Sequence, residues 1–108
     1  DDLSNVISFQ ENQFTKNLPN IFGKEAAKNF KSFLDELKSN NFYYKKIKNY
    51  YFFKIGRWDV ELLNNKIIKF PVNNLAKAIN KSIDLLNRDD FENYNVIDLR
   101  INDKIIVK

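Results

Sequence analysis

The chain is predicted to be α+β, an antiparallel sheet with two helices packed on one face. Two segments carry apolar residues with a period of 3.6, as amphipathic helices do. Between them two alternating segments meet at Asn64-Asn65, and a third alternating run closes the chain. Strands joined by hairpins and interleaved with helices give that layer arrangement. At 108 residues, 44% of them hydrophobic, the chain supports one core but not two. A single domain over 1–108 is therefore expected.

Taken in order, Val6-Ile7-Ser8-Phe9 is a candidate short strand, and Leu18-Pro19 marks a turn before the first helix. From Gly23 the helical period begins. Ala26, Ala27, Phe30, Phe33, Leu34 and Leu37 form the apolar stripe, and the helix ends near Ser39-Asn40-Asn41. Lys31 and Asp35 stand one turn apart on its polar side. The aromatic run from Phe42 to Ile55 favours strand and is interrupted by Gly56. Arg57 to Leu62 then alternates, with Trp58, Val60 and Leu62 inward and Arg57, Asp59 and Glu61 outward. Asn64-Asn65 tolerates the positive φ of a tight turn. Lys66 to Phe70 returns as the partner strand, closed by Pro71. Asn73 or Asn74 caps a second helix buried along Leu75, Ala76, Ile79, Ile83 and Leu86. Arg88-Asp89-Asp90 begins a polar connection to the last strand.

From Val96 to Lys108 the odd positions Ile97, Leu99, Ile101, Ile105 and Val107 point to one apolar face. A continuous strand with a bulge at Asn102-Asp103 is expected. The alternative is a two-residue turn there, which sets Ile106 opposite Leu99 and Ile105 opposite Arg100. Either way a terminal strand can lie at a sheet edge, where unpaired N–H and C=O groups accept a strand from another protein. The candidate partner-binding residues are thus Arg57, Arg100, Ile101, Asn102, Asp103, Lys104, Ile105 and Ile106.

Composition narrows the chemistry. There is no cysteine, which removes disulfides, thiolate metal sites and a thiol nucleophile. Histidine is absent too, and with it the usual base at physiological pH and the commonest zinc ligand. The two glycines stand too far apart for a phosphate-binding loop. Asp89, Asp90 and Glu92 suit a turn better than a cation, and Asp98 is placed to pair with Arg100 on its own strand face. Neither an enzyme, a metal site nor a cofactor is expected. The net charge of +4 is spread along the sequence, largely as lysine. Tyr43-Tyr44-Lys45-Lys46 and Tyr50-Tyr51 interleave aromatic and basic residues, so a single-stranded nucleic-acid-binding module is the alternative to a protein-binding domain. Packing around a sheet accounts for these tyrosines more simply, and Trp58 is read as core. Arg57 and Arg100 face outward, either solvated or locally paired, or complementary to a partner's acid. No run of about 18 apolar residues is there to span a membrane, and the opening residues are not expected to act as a signal peptide. The start at Asp1-Asp2, without a methionine, suggests an excised fragment.

The motif Arg57-Trp58-x-Val60-x-Leu62-x-Asn64-Asn65-x-Ile67-x-Lys69-Phe70-Pro71, followed by Ile97-Asp98-Leu99-Arg100, resembles the bacterial cell-division FtsQ/DivIB family, particularly its alphaproteobacterial members. Leu18-Pro19-x-Ile21-x-Gly23-x-x-Ala26 is similar to the way that family leads into its preceding helix. The chain departs from the family pattern at Gly56, where a basic residue is common, and at Ile101, where several relatives place an aromatic. The resemblance implies a piece of the periplasmic β domain of a bitopic inner-membrane protein, with the transmembrane helix and POTRA domain lying upstream. It further implies a non-catalytic divisome scaffold that holds FtsB and FtsL during septum formation, its last strand receiving a strand of FtsB.

Overall fold

The computed structural model describes residues 19–101 and 104–108, and of residues 89 and 90 the backbone alone. The chain runs β1 (Asn20–Phe22), α1 (Ala26–Ser39), β2 (Ile47–Phe53), β3 (Arg57–Leu62), β4 (Ile67–Lys69), α2 (Leu75–Leu86), β5 (Val96–Asp98) and β6 (Ile106–Val107). Short 3₁₀ turns precede β2 at Tyr44–Lys46 and β5 at Asp89–Asn93. The expected strand at Val6 to Phe9 and the turn at Leu18 lie outside the described residues.

The strands form one sheet in the order β1-β2-β3-β4-β5-β6. It is mixed rather than antiparallel throughout. β1 pairs β2 and β4 pairs β5 in parallel, while the β2–β3, β3–β4 and β5–β6 pairs are antiparallel. The cause is connectivity: a helix between neighbouring strands returns the chain to the starting end of the sheet, so the strands it joins run the same way. Both crossovers step in the same direction across the sheet. The right-handed rule then puts both helices on the same face, and α1 and α2 touch there.

The core lies between this face and the helices. Tyr50, Trp58, Val60, Leu62, Ile68, Phe70, Ile97 and Leu99 are buried from the sheet side. Ala26, Phe33 and Leu37 of α1 and Ala78, Ile79 and Ser82 of α2 meet them. Ala27 and Ala76, expected on the buried stripes, are exposed; neither methyl is large enough to turn its helix. Trp58 is the hub. Phe33 stacks on it at 5.0 Å and 11°, Phe52 lies at 4.8 Å, and Phe30 and Tyr50 meet it edge-on at 6.1 and 6.2 Å.

The β2–β3 and β3–β4 turns share one construction. Gly56 N–H donates to Phe53 O at 2.8 Å, and Asn65 N–H to Leu62 O at 2.9 Å. Gly56 and Asn65 take φ of 100° and 72°, a type I turn followed by a left-handed residue. Only the second residue of Asn64-Asn65 has the positive φ. Asn74 stands at the cap position of α2, also left-handed, without a side-chain capping bond.

Gly23 is a different case. At φ 117° a Cβ there would meet Phe52 O at 2.2 Å, because β1 ends against the β2 backbone. Gly23→Ala is therefore expected to destabilise by at least about 2 kcal/mol. Gly56→Ala should cost nearer 1 kcal/mol, since its Cβ would meet only Val72 Cγ1 at 3.8 Å. Trp58→Ala should cost about 3–5 kcal/mol, as for other large buried aromatics. Urea unfolding of the three variants orders these losses, and equal effects at the two glycines would contradict the close approach at Gly23.

Candidate partner-binding edge

Alternation sends every second strand residue to the face that carries no helix among the described residues. There Phe22, Tyr51, Asp59, Lys69, Asp98 and Ile106 stand side by side across the whole sheet. The row is apolar at both ends and charged in the middle. Phe22 stacks on Tyr51 at 5.2 Å, and the Tyr51 hydroxyl donates to Glu61 Oε1 at 3.2 Å. Asn49 Nδ2 donates to the same oxygen at 2.8 Å and holds the Glu61 carboxyl below its usual range.

Arg57 and Arg100 lie beside this row on the same face, two strands apart. Neither is a freely solvated cation. The Arg57 side chain is only 19% exposed and covers the Phe53 ring at 4.2 Å. Its Nε approaches Asp59 Oδ1 at 3.4 Å, yet both atoms are buried without a hydrogen bond. Burial pushes the Asp59 carboxyl up, against the downward pull of the Arg57, Lys69 and Arg100 charges. Arg100 is gripped by Asp98: Nε donates to Oδ1 at 2.8 Å, Nη2 to Oδ2 at 2.6 Å, and the Arg100 backbone N–H to Oδ1 at 3.0 Å. These bonds hold the Asp98 carboxyl below its usual range.

The C-terminal run is not a continuous strand. The chain reverses across Ile101–Lys104, where Lys104 N–H donates to Ile101 O at 3.2 Å. Asn102 and Asp103, both expected at the partner edge, lie outside the described residues. Pairing resumes with Ile106 opposite Asp98 and Val107 opposite Ile97. The Lys104–Ile101 bond closes a two-residue turn, which alone would set Ile106 opposite Leu99. The observed register is one residue away because Leu99 and Arg100 separate β5 from the turn on one side and Ile105 alone on the other. In consequence Ile101 and Ile105 are 53% and 41% exposed, whereas Ile97 and Leu99 are buried.

This register fixes the direction of each β6 backbone group. Lys108 N–H donates to Val96 O at 3.0 Å, and Val96 N–H to Lys108 O at 3.2 Å. In an antiparallel ladder hydrogen-bonded and non-hydrogen-bonded pairs alternate. Ile106 with Asp98 is therefore a bonded pair, and Val107 turns its N–H and C=O to the open side. Among the described residues no strand pairs β6 on that side. Val107 was not among the sequence candidates, because the signal that finds it is register, and register depends on the turn.

A comparison with protein families matches the one described as cell division protein FtsQ/DivIB, C-terminal, over residues 4–100. The chain belongs to the FtsQ/DivIB family. Membership carries a role in cell division. A search of curated proteins finds no match. The family match ends at Arg100, so the β6 edge stands on the geometry above.

The Asp98–Arg100 pair has a pH signature. The folded pKa of Asp98 lies below its unfolded value of about 4, so the stabilisation is complete above that value and is lost as the pH falls through the folded one. Asp98→Asn should lower stability at pH 7 by about 1–2 kcal/mol, an amount reduced by the partial exposure of Arg100. The gap from the parent should narrow on acidification towards pH 2. Urea unfolding at the two pH values checks it, and a gap that stays constant would show that the carboxylate charge contributes nothing.

Proposed function

We propose that residues 1–108 act as one non-catalytic scaffold domain of the divisome, binding a strand of FtsB, held together with FtsL, along the outer side of β6 during septum formation. The observation that carries the proposal is the outward-facing backbone of Val107, on the terminal edge strand of a sheet in a chain of this family. Around that edge, Ile101 and Ile105 offer apolar contact, and Lys104, Lys108 and Arg100 offer positive charge. Asp98 occupies Nε and Nη2 of Arg100 and leaves Nη1 for a partner carboxylate. Arg100, rather than the largely covered Arg57, is then the arginine that meets the partner.

In this role the domain lies on the periplasmic side of the inner membrane, as part of a membrane-anchored parent protein. No helix among the described residues is long and apolar enough to cross a membrane. Of the tyrosines that could stack on bases, Tyr50 is in the core, Tyr51 is occupied by Phe22 and Glu61, and Tyr44 lies under Lys38. Tyr43 alone of the four is exposed, too little for a stacking platform.

Proline separates backbone from side-chain effects. Val107→Pro removes an outward N–H and should leave the fold intact while abolishing FtsB binding. Ile106→Pro removes an inward donor and should loosen β6 itself, whereas Val107→Ala should keep most of the affinity. Arg100→Ala should weaken binding by about 1–3 kcal/mol, against at most about 1 kcal/mol for Lys104→Ala or Lys108→Ala. Calorimetry with the FtsB periplasmic segment decides it. Undiminished binding by a folded Val107→Pro variant would rule out strand addition at this edge.

A further inference from the structure

At the other end of the sheet from the Ile101–Lys104 turn, a cleft of about 370 Å³ opens between the β3–β4 turn and the end of α2. Its walls are fixed by main-chain bonds. Leu63 N–H donates to Lys46 O and Leu62 N–H to Lys66 O, both at 2.8 Å. Lys66 Nζ is tied to the carbonyls of Phe91, Glu92 and Tyr94 at 3.3, 3.4 and 2.5 Å, and lies over the Phe91 ring. That ammonium pins the 3₁₀ turn to the β3–β4 turn.

Lys46 is placed differently. Its ammonium lies 5.3 Å over the Phe42 ring, and no carboxylate of the described residues is within salt-bridge distance of it. Burial also holds its pKa below the usual lysine value. Beside it Leu63 is 65% exposed, a large apolar side chain at the tip of a turn, with Leu86 half-buried across the cleft. Among the described residues three cations and one acid, Glu92, line the walls. A partly desolvated cation next to an apolar slot calls for an anion attached to an apolar group.

We propose that this cleft is a second protein-docking site, which takes a partner segment carrying a large apolar side chain next to an Asp or Glu. The side chain enters between Leu63 and Leu86, and the carboxylate pairs with Lys46. The cleft lies between the β3–β4 turn and the end of α2, and the partner strand along the outer side of β6, so the domain can hold two partner segments at once.

The test uses the full chain and two capped peptides, acetyl-Glu-Leu-Glu-Phe-amide and its Gln counterpart, followed by amide NMR titration. Binding of the acidic peptide should shift the amides of Leu63, Asn64, Leu86 and Asn87, and should weaken at least fivefold for the Gln peptide. Lys46→Gln and the surface change Leu63→Ser should each weaken it at least fivefold with an unchanged Tm, while Val107→Pro should leave it intact. Equal binding of the two peptides, shifts scattered over the surface, or competition by inorganic phosphate at the same concentration would overturn the proposal. Tighter binding of oligothymidylate at the same amides would overturn it in favour of nucleic acid.

Discussion

Two crossovers of one hand govern this fold. Because β1-α1-β2 and β4-α2-β5 step across the sheet in the same direction, both helices are committed to one face. The other face receives every second strand residue and, among the described residues, no helix. Aromatic packing could not have chosen this arrangement alone, since a sheet with alternating side chains buries whichever face its helices reach. Once α1 lies over β2 and β3, Phe30 and Phe33 meet Trp58 and Tyr50, and the apolar parity of β3 to β5 is locked with it. A one-residue slip of any strand would carry Val60, Ile68 or Ile97 to the bare face and bring Asp59, Lys69 or Asp98 into the core.

The bare face must therefore satisfy its own charges. Asp59 and Asp98 are both buried there, Lys69 stands between them, and Arg57 and Arg100 flank them. The two acids solve the problem unequally. Asp98 receives three hydrogen bonds from Arg100, which hold its carboxyl down, whereas burial pushes the Asp59 carboxyl up and the nearby Arg57 makes no hydrogen bond to offset it. Well-made and poorly made ion pairs can thus share one sheet row, and geometry rather than proximity separates them.

Much of this was legible in the sequence, where local periodicity and tertiary demand agree. Both helices, the inward parity of Trp58, Val60 and Leu62, and the turn at Asn64-Asn65 follow from spacing alone. β1 was not legible, because Asn20–Phe22 is too short to show a period and its partner lies beyond α1. The stretch before Gly56 hid its parity through a register shift between Ile47 and Asn49, which lets both Ile47 and Tyr50 face inward. The alternation of Ile97 to Val107 was true to position but not to burial. A reversal at Ile101–Lys104 keeps the odd–even pattern in sequence while moving Ile101 and Ile105 off the core. Of the candidate site, the terminal edge and its basic side chains could be read in advance. The outward backbone of Val107 could not, since one extra residue between β5 and the turn exchanges bonded and open positions.

A usable strand edge must also avoid pairing with everything else. Long, flat, apolar edges aggregate, and proteins restrain them with short strands and lysines. β6 is only Ile106–Val107, flanked by Lys104 and Lys108. So short an edge offers a partner few main-chain bonds, and each net bond stabilises by only about 1 kcal/mol. Backbone pairing alone then gives weak binding to any extended chain. Selective binding needs side-chain contact beyond the strand, and the exposed Ile101 and Ile105 beside Arg100 supply an apolar and a cationic element at that place. In the proposed binding mode, the same reversal that removes those isoleucines from the core gives the short edge a means of discriminating between strands.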